Sequence, residues 1–129
     1  MMQDRTYPDP TPNLETEPFW AAAKDEKLLL KYCRTCGKAH YYPRAVCPLC
    51  GSTETEWREA SGRGEIYSFT QFRRAPVPYV LAYVTLIEGP AMLTNVVDCE
   101  FDDLKIGQPV GVTFRDTQAG FKLPVFRPV

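Results

Sequence analysis

The chain has 129 residues, enough for one ordinary domain or for a very small module joined to one of about 90 residues, and too few for two large cores. Hydrophobic residues make up 44% and charged residues 24%, the balance of a folded soluble protein and not of a disordered one. Formal net charge is -1, with 8 basic and 9 acidic residues up to position 59 and 7 of each beyond it, so no basic excess is available to neutralise a nucleic-acid backbone.

Pro8, Pro10 and Pro12 alternate with polar residues, so residues 1–16 are expected to form an extended, mobile arm. The opening "MMQDRTYPDPTPNLETEP" has neither a basic n-region nor an apolar h-region, and no run of 18 apolar residues follows. A cytoplasmic protein without a membrane segment is expected. In "EPFWAAAKDEKLLL", Pro18 suits a first helical turn and the alanines favour helix, which predicts a short helix from Pro18 to about Asp25.

"KLLLKYC" then reads as a strand and "AHYYPRAVC" as a strand or loop, each leading into a cysteine pair, so residues 17–59 form a helix followed by a small hairpin module. The segment "GSTETEWREASGRG" is rich in turn formers. Beyond it the apolar pattern shifts to period two in "GEIYSFTQF", "YVLAYVTLI", "AMLTNVVDCEF", "QPVGVTFRD" and "FKLPVFRPV". Five strands at short spacing over residues 60–129 predict a small closed barrel, with Pro124 and Pro128 confining the last strand to an edge or an irregular path.

Cys33, Cys36, Cys47 and Cys50 form two Cys-x-x-Cys pairs, followed at once by Gly37 and Gly51. In a reducing compartment, two matched pairs are better explained by a metal than by disulfides, and the odd fifth cysteine, Cys99, points the same way. Each glycine allows positive φ, which aims backbone N–H groups at the sulfurs. A redox pair would call for one Cys-x-x-Cys beside a βαβ pattern, and none is present. Four thiolates close a tetrahedral zinc site with no open position, so one structural zinc ion is expected.

The leading "PFW" helix, the "CRTCG…CPLCG" ribbon, "GRGEIYSFTQFRRAPVPY", the "YVTLIEGPAMLTNVV" hairpin and the ending "IGQPVGVTF…LPVFRP" together resemble one family. It is the zinc-ribbon plus OB-fold family associated with acyl-CoA enzymes, domain-of-unknown-function family thirty-five, and the resemblance covers roughly residues 17 to 129. It implies a mainly β fold: an N-terminal helix, a rubredoxin-like zinc ribbon and a five-stranded OB-fold barrel. It further implies a small accessory subunit, without catalysis of its own, beside a thiolase-fold partner in an acetyl-transferring, thiolase or aldolase complex. That partner supplies the reactive groups, and the small subunit helps to form the acyl-CoA path.

Single residues are weighed against that background. Phe19 and Trp20 are adjacent and point some 100° apart on a helix, so both are buried only if the helix is enclosed on two sides. A short terminal helix is expected to leave one ring for a partner or an acyl chain. Arg73 and Arg74 end the first barrel strand, where one guanidinium is available for coenzyme A phosphates, although a solvated strand end explains them equally. Tyr67 and Phe69 share one strand face and are expected in the barrel core.

His40 reads as a surface or packing residue and Cys99 as a small buried hydrophobe, which leaves a hydrolase or transferase without a base and nucleophile. Asp102 and Asp103 read as the start of a turn. The alternative to the accessory subunit is a single-stranded nucleic-acid binder of OB type, which the balanced charge disfavours.

Overall fold

Among the described residues, 6–129 of a computed structural model, the chain forms one α-helix, one short 3-10 helix and eight strands. Residues 1–5 of the expected arm lie outside the described residues. The rest of the arm is pinned, not loose. Tyr7 is buried against Val97 and Val125 and bridges to Thr117, and the Ala119 N–H donates to Asp9 Oδ1 at 3.1 Å.

Helix α1 (Glu17–Lys24) starts where Asn13 and Thr16 exchange hydrogen bonds, the Thr16 N–H donating to Asn13 Oδ1 and the Asn13 N–H to Thr16 Oγ1. Pro18 lies in the first turn, Glu17 favours the helix N-terminus electrostatically and Lys24 the C-terminus. The exit uses Glu26 at φ 59°, and the Glu26 carboxylate pairs with Lys122 Nζ at 2.8 Å. A non-glycine residue in the left-handed region is uncommon, and here an ion pair to the far end of the chain accompanies it.

The cysteine module is a three-stranded sheet, not the expected hairpin. Strands β1 (Leu29–Cys33), β2 (Ala39–His40) and β3 (Thr55–Glu59) run in the order β2-β1-β3, all antiparallel. β3 falls inside the stretch read as turn formers. Its alternating "TEWRE" is polar, yet Trp57 opposite Lys31 and Arg58 opposite Leu30 give it cross-strand partners, including Lys31 Nζ over the Trp57 ring at 4.6 Å.

The five remaining strands are those that the period-two pattern marks: β4 (Arg63–Phe72), β5 (Tyr79–Leu86), β6 (Ala91–Val96), β7 (Pro109–Asp116) and β8 (Lys122–Pro128). They close into a barrel in the order β4-β5-β6-β8-β7, as expected for an OB-fold. Closure between β6 and β8 is a short parallel contact, Val96 opposite Phe126, reinforced by the Val97 N–H to the Phe126 carbonyl at 2.8 Å. Pro124 sits in β8 beside this narrow seam, where its carbonyl accepts from Thr94 Oγ1. Along β7 the pairing of β8 is continuous from Lys122 to Pro128 inside the closed barrel, so the edge position or irregular path expected for a proline-bearing strand is not found. The prolines are accommodated where pairing to β6 is reduced to one short contact.

Inward side chains follow the pleat, with Ile66 opposite Val84 and Val80 opposite Val96. Between Ile66 and Ser68 the register of β4 shifts by a β-bulge. Tyr67 is thrown outward, 67% exposed, while Phe69 stays partly buried against the core. The expectation that Tyr67 and Phe69 share one inner face fails because a bulge changes which parity points inward. A short 3-10 helix (Phe101–Asp103) contains Asp102 and Asp103 at the turn expected for them.

A single apolar cluster runs from Phe19, Trp20, Leu28 and Leu30 into Ile66, Val84 and Phe126 of the barrel. Helix α1 is therefore the wedge joining the cysteine sheet to the barrel. Among the described residues no helix is long and apolar enough to cross a membrane.

Candidate functional site

Two turns of equal construction present the cysteines. After β1 the Cys33 N–H donates to the Lys38 carbonyl and the Gly37 N–H to the Cys33 carbonyl; after the second pair's start the Cys47 N–H donates to Ser52 and the Gly51 N–H to Cys47, all at 2.8–3.0 Å. Gly37 at φ 75° and Gly51 at φ 80° allow these reversals. The four Sγ atoms lie within 4.8 Å of one another, with Cys33–Cys50 at 3.6 Å and Cys36–Cys47 at 3.8 Å. A disulfide needs about 2.05 Å, and all the cysteines are free.

A tetrahedron of thiolates on zinc at about 2.3 Å separates its sulfurs by roughly 3.8 Å, so Cys33, Cys36, Cys47 and Cys50 fit one zinc ion. The Cys36 backbone N–H, aimed at Cys33 Sγ from 3.5 Å, is the largest cause holding the Cys33 thiol down to about 6. At Cys50 the Ser52 backbone hydrogen bond lowers the thiol, but burial and the sulfurs of Cys33, Cys36 and Cys47 outweigh it and push it up to about 11. Four sulfurs sharing protons in this way are relieved when a dication replaces the protons. With four protein ligands the ion has no open coordination position and acts as a cross-link.

The other residues singled out in the sequence are scattered. Phe19 and Trp20 are 1% and 8% exposed, so neither ring is left for a partner or an acyl chain. Phe19 meets Tyr41 and Tyr42, while Trp20 meets Phe121 edge-on and donates its indole N–H to the Tyr42 hydroxyl at 3.1 Å. The helix is enclosed on two sides, by the cysteine module and the barrel, which overturns the reason for expecting a free ring. Arg73 is engaged with Asp102 at 2.8 Å and with Gln71, and lies over the Phe101 ring; Arg74 is exposed in the β4–β5 loop.

His40 is a packing residue, 4% exposed, and its ring is kept below the ordinary histidine range chiefly by burial, with Lys31 acting in the same direction against the Arg44 backbone. Cys99 is buried after β6, and burial followed by Glu100 and Asp98 pushes its thiol up to about 11. Neither is placed as a nucleophile–base pair.

Sequence reasoning does not find the cleft between the two modules. A cavity of about 700 Å³ lies between the cysteine sheet and the β5–β6 turn, lined on one side by Leu30, Tyr32, His40 and Arg58 and on the other by Glu88 and Pro90. The Arg58 guanidinium sits 3.7 Å above the Tyr32 ring centroid. Of the sequence candidates only His40 borders it; the other lining residues named stand on β1, β3 and the β5–β6 turn, brought together by the packing of the two sheets.

A family model described as the rubredoxin-like zinc ribbon domain of ChsH2 matches residues 20–56, and one described as the C-terminal OB-fold domain of ChsH2 matches residues 57–115. A DUF35 domain-containing scaffold protein of Methanocaldococcus jannaschii is 34% identical over 74% of this chain and 74% of its own length. The chain belongs to the DUF35 family. A second scaffold protein of that description, from Pyrococcus furiosus, is 30% identical over 79% of both chains.

A probable enoyl-CoA hydratase alpha subunit of Thermomonospora curvata is 35% identical over 94% of this DUF35 chain, which spans only 40% of that relative's length. Among solved structures, a chain of the Ltp2-ChsH2(DUF35) aldolase superposes with a TM-score of 0.83 at 34% identity, covering 93% of this chain and 98% of that one. A DUF35 protein of unknown function from Sulfolobus solfataricus, 15% identical with a TM-score of 0.66, shares the fold.

Proposed function

We propose that this DUF35 chain is a non-catalytic accessory subunit of a thiolase-type acyl-CoA or acyl-transfer complex in the cytoplasm, with a thiolase-fold enzyme as its partner. The observation that carries the reading is the match, over nearly the whole of both chains, to a chain of a solved two-component aldolase. The scaffold relatives support the same role. The zinc ion, when bound, supplies a structural cross-link, and Cys33, Cys36, Cys47 and Cys50 hold the ribbon around it.

The remaining groups suit a scaffold. The buried Cys99 thiol is held protonated, and His40 is packed away with a neutral ring. The cavity between ribbon and barrel combines apolar walls with the Arg58 guanidinium, a lining suited to part of an acyl-CoA path. Arg73 and Arg74 lie on the β4–β5 loop and Phe19 and Trp20 in the apolar core that joins the two modules, none of them in the lining of that cavity. The division into arm 1–16, helix plus ribbon 17–59 and barrel 60–129 belongs to the same proposal.

Gentle affinity purification of the tagged chain from its native cells, with mass spectrometry of what stays bound, tests this reading. Near-equal recovery of a thiolase-fold enzyme is expected, and that enzyme's turnover should fall when the chain is withheld. Recovery of nucleic acid, or of no enzyme subunit, would refute it.

A further inference from the structure

The outer face of the barrel over β4, β5 and β6 carries an aromatic surface that neither the metal centre nor the cavity uses. Two rows of side chains cross it: Ser68, Tyr83 and Leu93 are aligned by the strand register, and next to them Thr70, Leu81 and Asn95. The β-bulge adds Tyr67, which a regular strand would not place beside Ser68 on the same side. At the end of the face Phe72 and Tyr79 stack at 4.8 Å with 19° between their planes.

None of these residues is charged, in a chain of which 24% of residues are. Tyr67, Leu93, Tyr83 and Phe72 are 67%, 50%, 47% and 38% exposed. Together they expose on the order of 400 Å² of apolar and aromatic surface, at the scale that marks interaction sites and about half of what each partner contributes to a standard interface. Enrichment in tyrosine with depletion of charge is the composition of an interface core. In the middle of the face, Thr70, Leu81, Tyr83 and Leu93 border a depression of about 150 Å³, a volume that accommodates a benzene-sized group.

From these features, and resting on the accessory-subunit reading above, we infer that this face docks the enzyme subunit and that the depression receives one apolar side chain from it. Single-stranded nucleic acid would require cations interleaved with the rings. Of the two arginines in the adjoining β4–β5 loop, Arg73 is committed to Asp102 and Arg74 is exposed, so the loop brings one cation to one end of the face and none between its rings. A lipid surface would likewise require a basic rim.

The test uses the full-length zinc-loaded chain and the enzyme subunit that co-purifies with it, both then produced recombinantly and titrated by calorimetry. Leu93→Lys and Tyr83→Ala should each weaken binding by about 100-fold, the effect of losing an interface anchor, while Lys105→Ala should leave it unchanged. Because both positions are exposed, zinc content and melting temperature should match those of the parent chain. Deuterium exchange in the complex should slow in peptides covering β5 and β6. Wild-type affinity in both variants, with the enzyme subunit still bound, would overturn the assignment of the face and leave the accessory role intact. Light scattering that shows a dimer of the chain alone, broken by Leu93→Lys, would overturn it in favour of a second copy. Failure of any enzyme subunit to co-purify with the parent chain would remove both readings together.

Discussion

Replacing Phe19 with alanine tests whether α1 is a structural wedge or a partner-facing element. The ring is 1% exposed, with centroids 4.9 Å from Trp20, 5.9 Å from Tyr41 and 5.9 Å from Tyr42. Truncating a fully buried phenylalanine costs about 3–5 kcal/mol through lost transfer energy and the cavity left behind. For a chain of this length that corresponds to a fall in melting temperature of roughly 15 °C. Trp20→Phe keeps an aromatic ring and removes the indole N–H to Tyr42, so its loss of that hydrogen bond should cost only about 1 kcal/mol. Thermal and urea unfolding of zinc-loaded protein, followed by near-ultraviolet circular dichroism, would measure both. If Phe19→Ala melted within a few degrees of the parent and instead lost only its partner, the helix would not be the wedge described.

Three further perturbations address other parts of the molecule. Cys47→Ser should abolish zinc binding and unfold the ribbon, because structural zinc contributes roughly 10–16 kcal/mol, as much as the whole stability of an ordinary domain; metal analysis and circular dichroism after chelation would check it. The folded His40 pKa lies below the unfolded value of about 6.5, so the stabilising contribution of its neutral ring is present above that pH and is lost as pH falls from there through the folded value. Between pH 7.5 and 6.0, with zinc in the buffer, the parent should therefore lose more stability than His40→Gln; equal losses would remove the argument. Gly64→Ala should destabilise the barrel by about 1–3 kcal/mol in urea unfolding, since the added Cβ meets the Thr85 backbone and comes to 2.9 Å from Val84 Cγ1.

Legibility in the sequence follows the range of the interactions concerned. The cysteine site is readable because each ligand pair sits within one four-residue turn and its glycine follows immediately. The five barrel strands are readable because burial of one face imposes period two on the residues themselves. β3 escapes notice because it is held by pairing with β1 on one edge, and its own side chains are mostly polar. Tyr67 is misplaced by period two because one extra residue in β4 changes which face follows.

By itself, the sequence determined the helix, the cysteine centre, the barrel strands and the resemblance that leads to the family. Only the tertiary structure decided what covers Phe19 and Trp20, that a cavity opens beneath the ribbon, and that a charge-free aromatic face is left outside. The first group depends on local geometry and on one-dimensional periodicity. The second depends on contacts between segments far apart in the chain, Phe19 with Tyr42 and Trp20 with Phe121, which no spacing along the chain encodes.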